Sequence, residues 1–262
     1  MTVDFHTHCF PDKLAIKAIP KLSYDAGGLE PYTDGTAEGL KESMKREDVD
    51  ISVVMHIATN PHQQTAVNDF AASIHSDCLI SFGSVHPDAE DALEELERIQ
   101  SLGLKGVKLH PEYQHFYVDD PKMKPIYKKI SQLGLITLFH AGFDYGFMPP
   151  YHGMPDSMAK ALLWFDSPVI AAHWGGCSCG PEVLKHLCGL PIYFDTSFGY
   201  GKMPKGIAQE IVNRHGVDML LFGSDSPWHS PNRERLLLDS LGLSENERRK
   251  IESENAMKLL QI

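Results

Sequence analysis

Three shortages in the 262-residue sequence each exclude a class of protein. Cysteine is scarce: Cys9, Cys78, Cys177, Cys179 and Cys188 are five in all, too few and odd in number for a disulfide scaffold. Reduced thiols in a cytoplasmic protein are the expectation, and the N-terminal residues carry neither the charged nor the apolar segment of a secretory signal. No apolar run nears the roughly 20 residues that a membrane span needs. Positive charge is short as well: 24 Lys and Arg stand against 35 Asp and Glu, a net charge of −11. A binder of phosphate backbones would show a basic stripe instead, so no nucleic-acid partner is expected. No Gly-x-Gly-x-x-Gly follows any apolar run, which counts against an open dinucleotide-binding sheet.

The chain does hold enough apolar sequence for a sizeable core, 42% hydrophobic against 23% charged. Short apolar runs alternate with helix-period segments from end to end. The runs are Val3–His8, Ile51–Ala58, Leu79–Val85, Gly106–His110, Leu135–His140, Val169–His173, Ile192–Thr196 and Met219–Gly223. Their near-continuous Val, Ile, Leu and Phe content marks strands buried on both faces, as in parallel sheets. Helical segments fall near Thr36–Arg46, Gln63–His75, Ala89–Leu102, Lys124–Leu133, Ser157–Phe165, Pro181–Leu187, Lys205–Arg214, Arg233–Leu241 and Glu245–Leu260. The Gly- and Pro-bearing stretch after the first run reads as irregular. Gly27–Gly35 and Gly146–Pro155 read as long loops of the kind that form lids. Eight strand–helix units without a shift in composition predict a single domain over 1–262. Its fold class is α/β, a (β/α)8 TIM barrel.

Barrel enzymes place their chemistry at the C-terminal ends of the strands, and there this sequence concentrates histidine and aspartate. The first run supplies His6 and His8, two imidazoles that strand alternation puts on one side. The third leads to His86, the fourth holds Lys108 and His110 and runs on to Glu112, and the fifth ends in His140. The sixth ends in His173, the seventh holds Asp195, and the eighth leads to Asp225. Imidazole nitrogens and carboxylate oxygens are ligands of zinc-like ions, and a catalytic site keeps a position free for water. A carboxylate beside that water can take its proton, a role that suits Asp225. Asp195 is placed to hydrogen-bond a ligand imidazole, while His56, inside the second run, reads as structural. Tyr113, Phe143, Tyr145, Trp174 and Trp228 fall on the loops beyond the strands and suit the wall of a small-molecule pocket. Cys177-Ser178-Cys179 is half a metal clip with no second half.

As a set, His6-x-His8, His140, His173 and Asp225 resemble the amidohydrolase superfamily. Gly106-Val107-Lys108-Leu109-His110-Pro111, His173-Trp174-Gly175-Gly176, Gly223-Ser224-Asp225-Ser226-Pro227 and Glu254-Asn255-Ala256 are similar to its amidohydrolase-related branch, which includes the aminocarboxymuconate-semialdehyde decarboxylase type. The resemblance runs essentially the full length. It implies that His6, His8 and His140 bind a divalent metal, zinc first, with manganese, iron or nickel also accommodated. It makes Asp225 both ligand and proton acceptor, and gives His173 a second metal or the orientation of water or substrate. Binuclear relatives bridge two ions with a carboxylated lysine or a glutamate, so Glu112 is expected ahead of Lys108 as a further ligand, and one or two ions are expected per chain.

The expected activity is hydrolysis, with metal-activated water attacking an amide or ester carbonyl of a small molecule and Asp225 shuttling the proton. The alternative is a lyase, the non-oxidative decarboxylation of an aromatic or unsaturated carboxylic acid. A cation beside the metal would favour that alternative. Arg is absent from every strand end, which tilts the expectation towards hydrolysis. A metal-binding barrel without activity is a third reading, which the intact Asp225 opposes. Neither a membrane nor a nucleic-acid partner is expected, and exposed barrel helices allow a homodimer.

Overall fold

A computed structural model describes residues 1–262. Its strands are β1 (Val3–Thr7), β2 (Ile51–Met55), β3 (Leu79–Phe82), β4 (Gly106–Leu109), β5 (Ile136–Phe139), β6 (Val169–Ala171), β7 (Tyr193–Asp195) and β8 (Leu220–Leu221). Every neighbouring pair within β1–β3 and within β4–β8 is parallel. Two sets of hydrogen bonds join these halves. Gly83 N donates to Gly106 O (2.9 Å) and Lys108 N to Gly83 O (2.8 Å), which ties β3 to β4. Phe5 N donates to Phe222 O (2.7 Å) and Asp225 N to His6 O (2.8 Å), which ties β8 back to β1. The sheet therefore closes, and the expected (β/α)8 barrel is what the chain forms.

The helices are α1 (Asp12–Asp25), α2 (Ala37–Arg46), α3 (Gln64–Ile74), α4 (Ala92–Ser101), α5 (Lys124–Gln132), α6 (Pro155–Ala161), α7 (Gly180–His186), α8 (Lys205–His215), α9 (Pro231–Ser240), α10 (Glu245–Arg249) and α11 (Asn255–Leu260). Outward side chains of the strands, among them Val107, Phe139, Ala171 and Phe194, pack with Leu96, Ile99, Ile130 and Ile211 of the helices in the larger core. The barrel interior is a second core in which Phe5, Phe82, Leu138, Ile170 and Leu221 meet, with Ala256 and Leu260 of α11 packed against it.

Two elements depart from the sequence reading. The stretch expected to be irregular after β1 contains α1, fourteen residues long despite Pro20 within it. Proline inside a helix removes a hydrogen-bond donor and normally argues against the assignment. Only Ala15 and Ile19 of α1 are buried, so its apolar periodicity is weak as well. The single helix expected over Glu245–Leu260 is interrupted by a π-helical turn at Lys250–Glu254. There the Ile251 carbonyl accepts the Phe222 N–H at 2.8 Å and ties the turn to the barrel.

One irregularity aims the first strand's histidines. Between Asp4 and Thr7 the register advances three residues on β1 for two on β2. An extra residue of this kind re-aims side chains and is frequent beside active sites. Phe5 can thus fill the barrel interior while the very next residue, His6, also meets groups from across the barrel. No helix is long and apolar enough to cross a membrane.

Candidate metal centre

His8, His110, His140 and His173 sit one or two positions beyond their strands and Asp225 four beyond β8, where the backbone bends over the barrel mouth. His173 and Asp225 adopt φ of 60° and 66°, a left-handed conformation costly for residues with a side chain. Local hydrogen bonds hold them there. Asp195 Oδ1 accepts from His173 N (3.0 Å), and Asp225 N donates to His6 O (2.8 Å). Gly142 performs a related service after β5. Its φ is +80°, and a Cβ there would lie 2.4 Å from Cys177 N, so only glycine lets the chain turn from His140 towards Asp144.

His6, His8 and Asp225 come together tightly. His6 Nε2 and His8 Nε2 are 3.2 Å apart, and Asp225 Oδ1 lies 3.4 Å from the first and 3.2 Å from the second. The partners on the far side of each ring set the tautomers. His6 Nδ1 faces Asp195 Oδ2 at 2.8 Å, and His8 Nδ1 faces the Met55 carbonyl at 2.8 Å. Both acceptors require the proton on Nδ1, so the neutral rings point two Nε2 lone pairs at each other. Only the Lys108 ammonium, 3.2 Å from His6 Nε2, offers a proton to either lone pair, and no group in the protein satisfies both. A cation between them would, and metal–nitrogen bonds of about 2.0–2.1 Å in a tetrahedron put neighbouring ligands about 3.3 Å apart. The donor set fits a divalent ion.

His140 and His173 repeat the pattern. His140 Nε2 donates to Phe143 O (3.2 Å). His173 Nδ1 faces Ser197 Oγ (2.9 Å), whose own hydroxyl donates to Asp195 Oδ1. That leaves His140 Nδ1 and His173 Nε2 as opposed lone pairs 3.1 Å apart. This second pair adjoins the first through the stacked His6 and His173 rings, with centroids 5.0 Å apart. Burial lowers the His6, His140 and His173 imidazoles below the ordinary range, well below it for His6 and His140. The neutral form is the one that binds metal. Burial alone would raise the Asp225 carboxyl, but His6, His8 and His173 outweigh it and hold that group well below the usual carboxylate range.

The fourth strand departs from plain alternation. Lys108 is buried with Nζ 3.2 Å from His6 Nε2, and burial brings its ammonium down to about 8. Glu112 was expected to share that face, but the structure does not bring it to the cluster. The strand stops at Leu109, and a turn closes behind Pro111, with Gln114 N donating to His110 O (2.9 Å) and Phe116 N to Pro111 O (3.1 Å). Glu112 Oε1 instead accepts from His152 N at 2.6 Å. His86 is likewise a loop residue, its Nδ1 accepting from Asp88 N at 3.2 Å.

Asp144 escaped the sequence reading. It lies four residues past His140, and its Oδ2 is 3.3 Å from His110 Nε2, with the His110 ring stacked on His140 at 4.3 Å. These three residues form a further group with ligand-like spacing. No periodicity marks a loop aspartate, and only its nearness to His140 could have drawn notice. A cavity of about 520 Å³ opens above the centre. Tyr113, Phe143, Tyr145 and Trp228 line it as expected from their loops, whereas Trp174 is packed in the core with Nε1 on Thr196 O (2.9 Å).

Comparison with known proteins follows the geometry. The family model described as amidohydrolase matches residues 3–262. No curated protein matches the sequence. Among solved structures, an uncharacterised TIM-barrel protein from Bordetella bronchiseptica superposes with a TM-score of 0.79 at 18% identity, covering 99% of this chain and 98% of that one. The 5-carboxyvanillate decarboxylase of Sphingomonas paucimobilis gives 0.72 at 17%, covering 100% and 99%. A dihydroxybenzoic acid decarboxylase from Polaromonas sp. JS666, solved with manganese and the inhibitor 2-nitroresorcinol, gives 0.69 at 15%, covering 99% and 96%.

The expectation of hydrolysis is corrected here. Several of the full-length neighbours of this fold are decarboxylases and none is a characterised hydrolase among those compared, which favours the alternative reaction. The preference for hydrolysis rested on the lack of Arg at the strand ends. The cation is there all the same, as Lys108 inside β4, which a search for Arg alone passes over.

Proposed function

This chain belongs to the amidohydrolase family, and from that premise we propose that it is a metal-dependent, non-oxidative decarboxylase of an aromatic or unsaturated carboxylic acid. The observation that carries the reading is Lys108, a buried ammonium 3.2 Å from a proposed metal-ligating nitrogen and on the wall of the cavity. A fixed cation beside a dication suits a substrate that is anionic before it reacts.

His6, His8, His140, His173 and Asp225 would hold the ion. Zinc is the ion proposed, since three or four imidazoles with one carboxylate are among its preferred ligands, and manganese is accepted by the same set. A bound divalent ion supplies Lewis acidity that polarises the substrate carboxylate or a neighbouring oxygen. Lys108 binds and orients the anion. The apolar walls exclude water, which strengthens each of these charges. The bond between the ring carbon and the carboxylate breaks with its electron pair left on carbon. Asp225, ionised at rest, would relay to that carbon a proton taken from water, and carbon dioxide leaves.

Metal-loaded protein incubated with a panel of hydroxybenzoates is expected to release carbon dioxide from at least one of them. A fully loaded protein that releases none from any aromatic or unsaturated acid overturns the proposal.

A further inference from the structure

The cavity is much larger than the reacting end needs. Most of its titratable groups follow β1, β4, β5, β6 and β8 and gather at the metal centre. Much of the opposite wall is apolar and comes from α1, the end of β2 and α3. Leu14, Leu22 and Ala26, separated by eight and then four residues, form one stripe along α1. Val67 and Phe70 of α3 face it, with Ile57 between the two helices. Leu14 is 49% exposed although it lines the cavity, so the α1 wall reaches out to the cavity mouth. The loop after β5 comes up to the end of α1, where a Cβ on Gly146 would lie 3.9 Å from Asp25 O.

Three polar side chains interrupt this wall, and Thr59 and Gln63 hydrogen-bond to each other at 3.1 Å, which leaves His56. His56 is 5% exposed and lines the cavity, and its Nε2 has no hydrogen-bond partner in the protein. A buried ring nitrogen left without a partner is destabilising, unless a ligand atom supplies the bond. Pockets of about 300–1,000 Å³ hold drug-sized ligands, and a single-ring acid fills only a fraction of such a volume.

We propose that the space between α1 and α3 is a subsite for an apolar arm of the substrate, a second ring or an alkyl chain, carrying one polar atom that meets His56. The substrate is then an arylated or alkylated aromatic acid rather than a bare hydroxybenzoate. This deepens the decarboxylase reading and rests on it for the placement of the carboxylate at Lys108.

The test uses metal-loaded full-length protein with salicylate and its phenyl and n-hexyl derivatives substituted at ring carbon 4 or 5. Affinity is read by calorimetry and turnover by released carbon dioxide. Each buried methylene contributes about fourfold in affinity, so an arm that buries about three of them binds roughly 50-fold tighter than salicylate. Val67→Trp and, from the opposite wall, Ala26→Trp are each expected to cut the ratio of armed to unarmed affinity at least tenfold. Equal affinity for salicylate and all armed acids overturns the subsite, as does a ratio that neither substitution lowers. Tight binding of armed acids without carbon dioxide release supports the subsite while overturning the decarboxylase reading. Release from salicylate alone, with armed acids binding no better, does the reverse.

Discussion

Asp195 Oδ2 accepts the His6 Nδ1 proton at 2.8 Å, and this one hydrogen bond decides which lone pair His6 offers to the metal centre. The same carboxylate uses Oδ1 to accept from His173 N (3.0 Å), Ser197 N (3.1 Å) and the Ser197 hydroxyl. It therefore orients two imidazoles from one fully buried position.

In Asp195→Asn the amide oxygen is held by the three donors that Oδ1 now serves, so the NH2 group faces the His6 Nδ1 proton. Two donors cannot share that contact, and His6 is driven to carry its proton on Nε2, towards the ion. Partners of metal-bound histidines typically contribute 10–100-fold in affinity. The variant is expected to lose metal affinity by about that factor while keeping its fold, measured by competition with a chelator and by circular dichroism. An unchanged dissociation constant would remove Asp195 from this role.

The strand ends were legible because their chemistry is contrary to their surroundings. His140 and His173 close apolar runs, and a buried imidazole there demands a reason. Asp225 reads equally well in Phe222-Gly223-Ser224-Asp225. Legibility failed where side chains are placed by turns instead of strands. Glu112 has the parity of Lys108 on paper, yet Pro111 begins a turn and parity means nothing beyond it. Helix α1 was hidden by Pro20 and by an apolar stripe that faces a cavity instead of the core. Lys108 was visible from the start, but a lysine in a strand gives no sign of which oxygen or nitrogen it will meet.

Lys108→Met should separate anion binding from metal binding. The thioether side chain has a comparable length and no charge, and the ammonium it replaces repels a dication. Metal content by elemental analysis is expected to stay at the wild-type stoichiometry. Loss of one fixed electrostatic donor in a water-poor site typically costs about 10²–10³ in rate, and a fall of that size is expected in kcat/KM for the carboxylate substrate. Near-normal turnover with full metal would show that the cation has no part in the reaction.

Asp4 makes the stability of the barrel sensitive to pH in a direction unusual for a carboxylate. Burial raises its carboxyl to about 7, against the hydrogen bonds from Ser224 and His6 N that favour the charged form. The unfolded value is 3.8, so between there and pH 7 the folded chain holds a proton that the unfolded chain has released. This group's contribution is fully present below the unfolded value and is lost as pH rises through the folded one. Its slope is about 1.4 kcal/mol per pH unit at most. Buried histidines such as His56 act oppositely, so the difference between wild type and Asp4→Asn isolates the effect. In urea unfolding of metal-free protein, that difference is expected to move in favour of the variant as pH rises from about 4.5 to 7.5. Parallel curves would contradict the assignment.

Glu234 holds one wall of the cavity from behind. Its Oε2 accepts from Gly199 N (2.7 Å) and Tyr200 N (3.0 Å), and its Oε1 lies 2.5 Å from His229 Nδ1. The His229 ring stacks on Phe198 at 4.2 Å, and Phe198, at a left-handed φ of 56°, lines the cavity with its centroid 5.9 Å from that of His173. Glu234→Ala strands the buried Gly199 N–H, at about 1–3 kcal/mol, and leaves the N–H of the exposed Tyr200 to water. The melting temperature should fall accordingly, and KM should rise as Phe198 loosens. Glu234→Gln behaves differently. Its carbonyl oxygen keeps both backbone donors, and its NH2 group turns to His229, whose Nε2 has no partner. Because that nitrogen is free to take the proton, His229 changes tautomer at little cost and accepts through Nδ1. The Gln variant is therefore expected to retain most of the stability and affinity that the Ala variant loses. Equal damage from the two would mean that the negative charge, and not the hydrogen-bond pattern, anchors the loop.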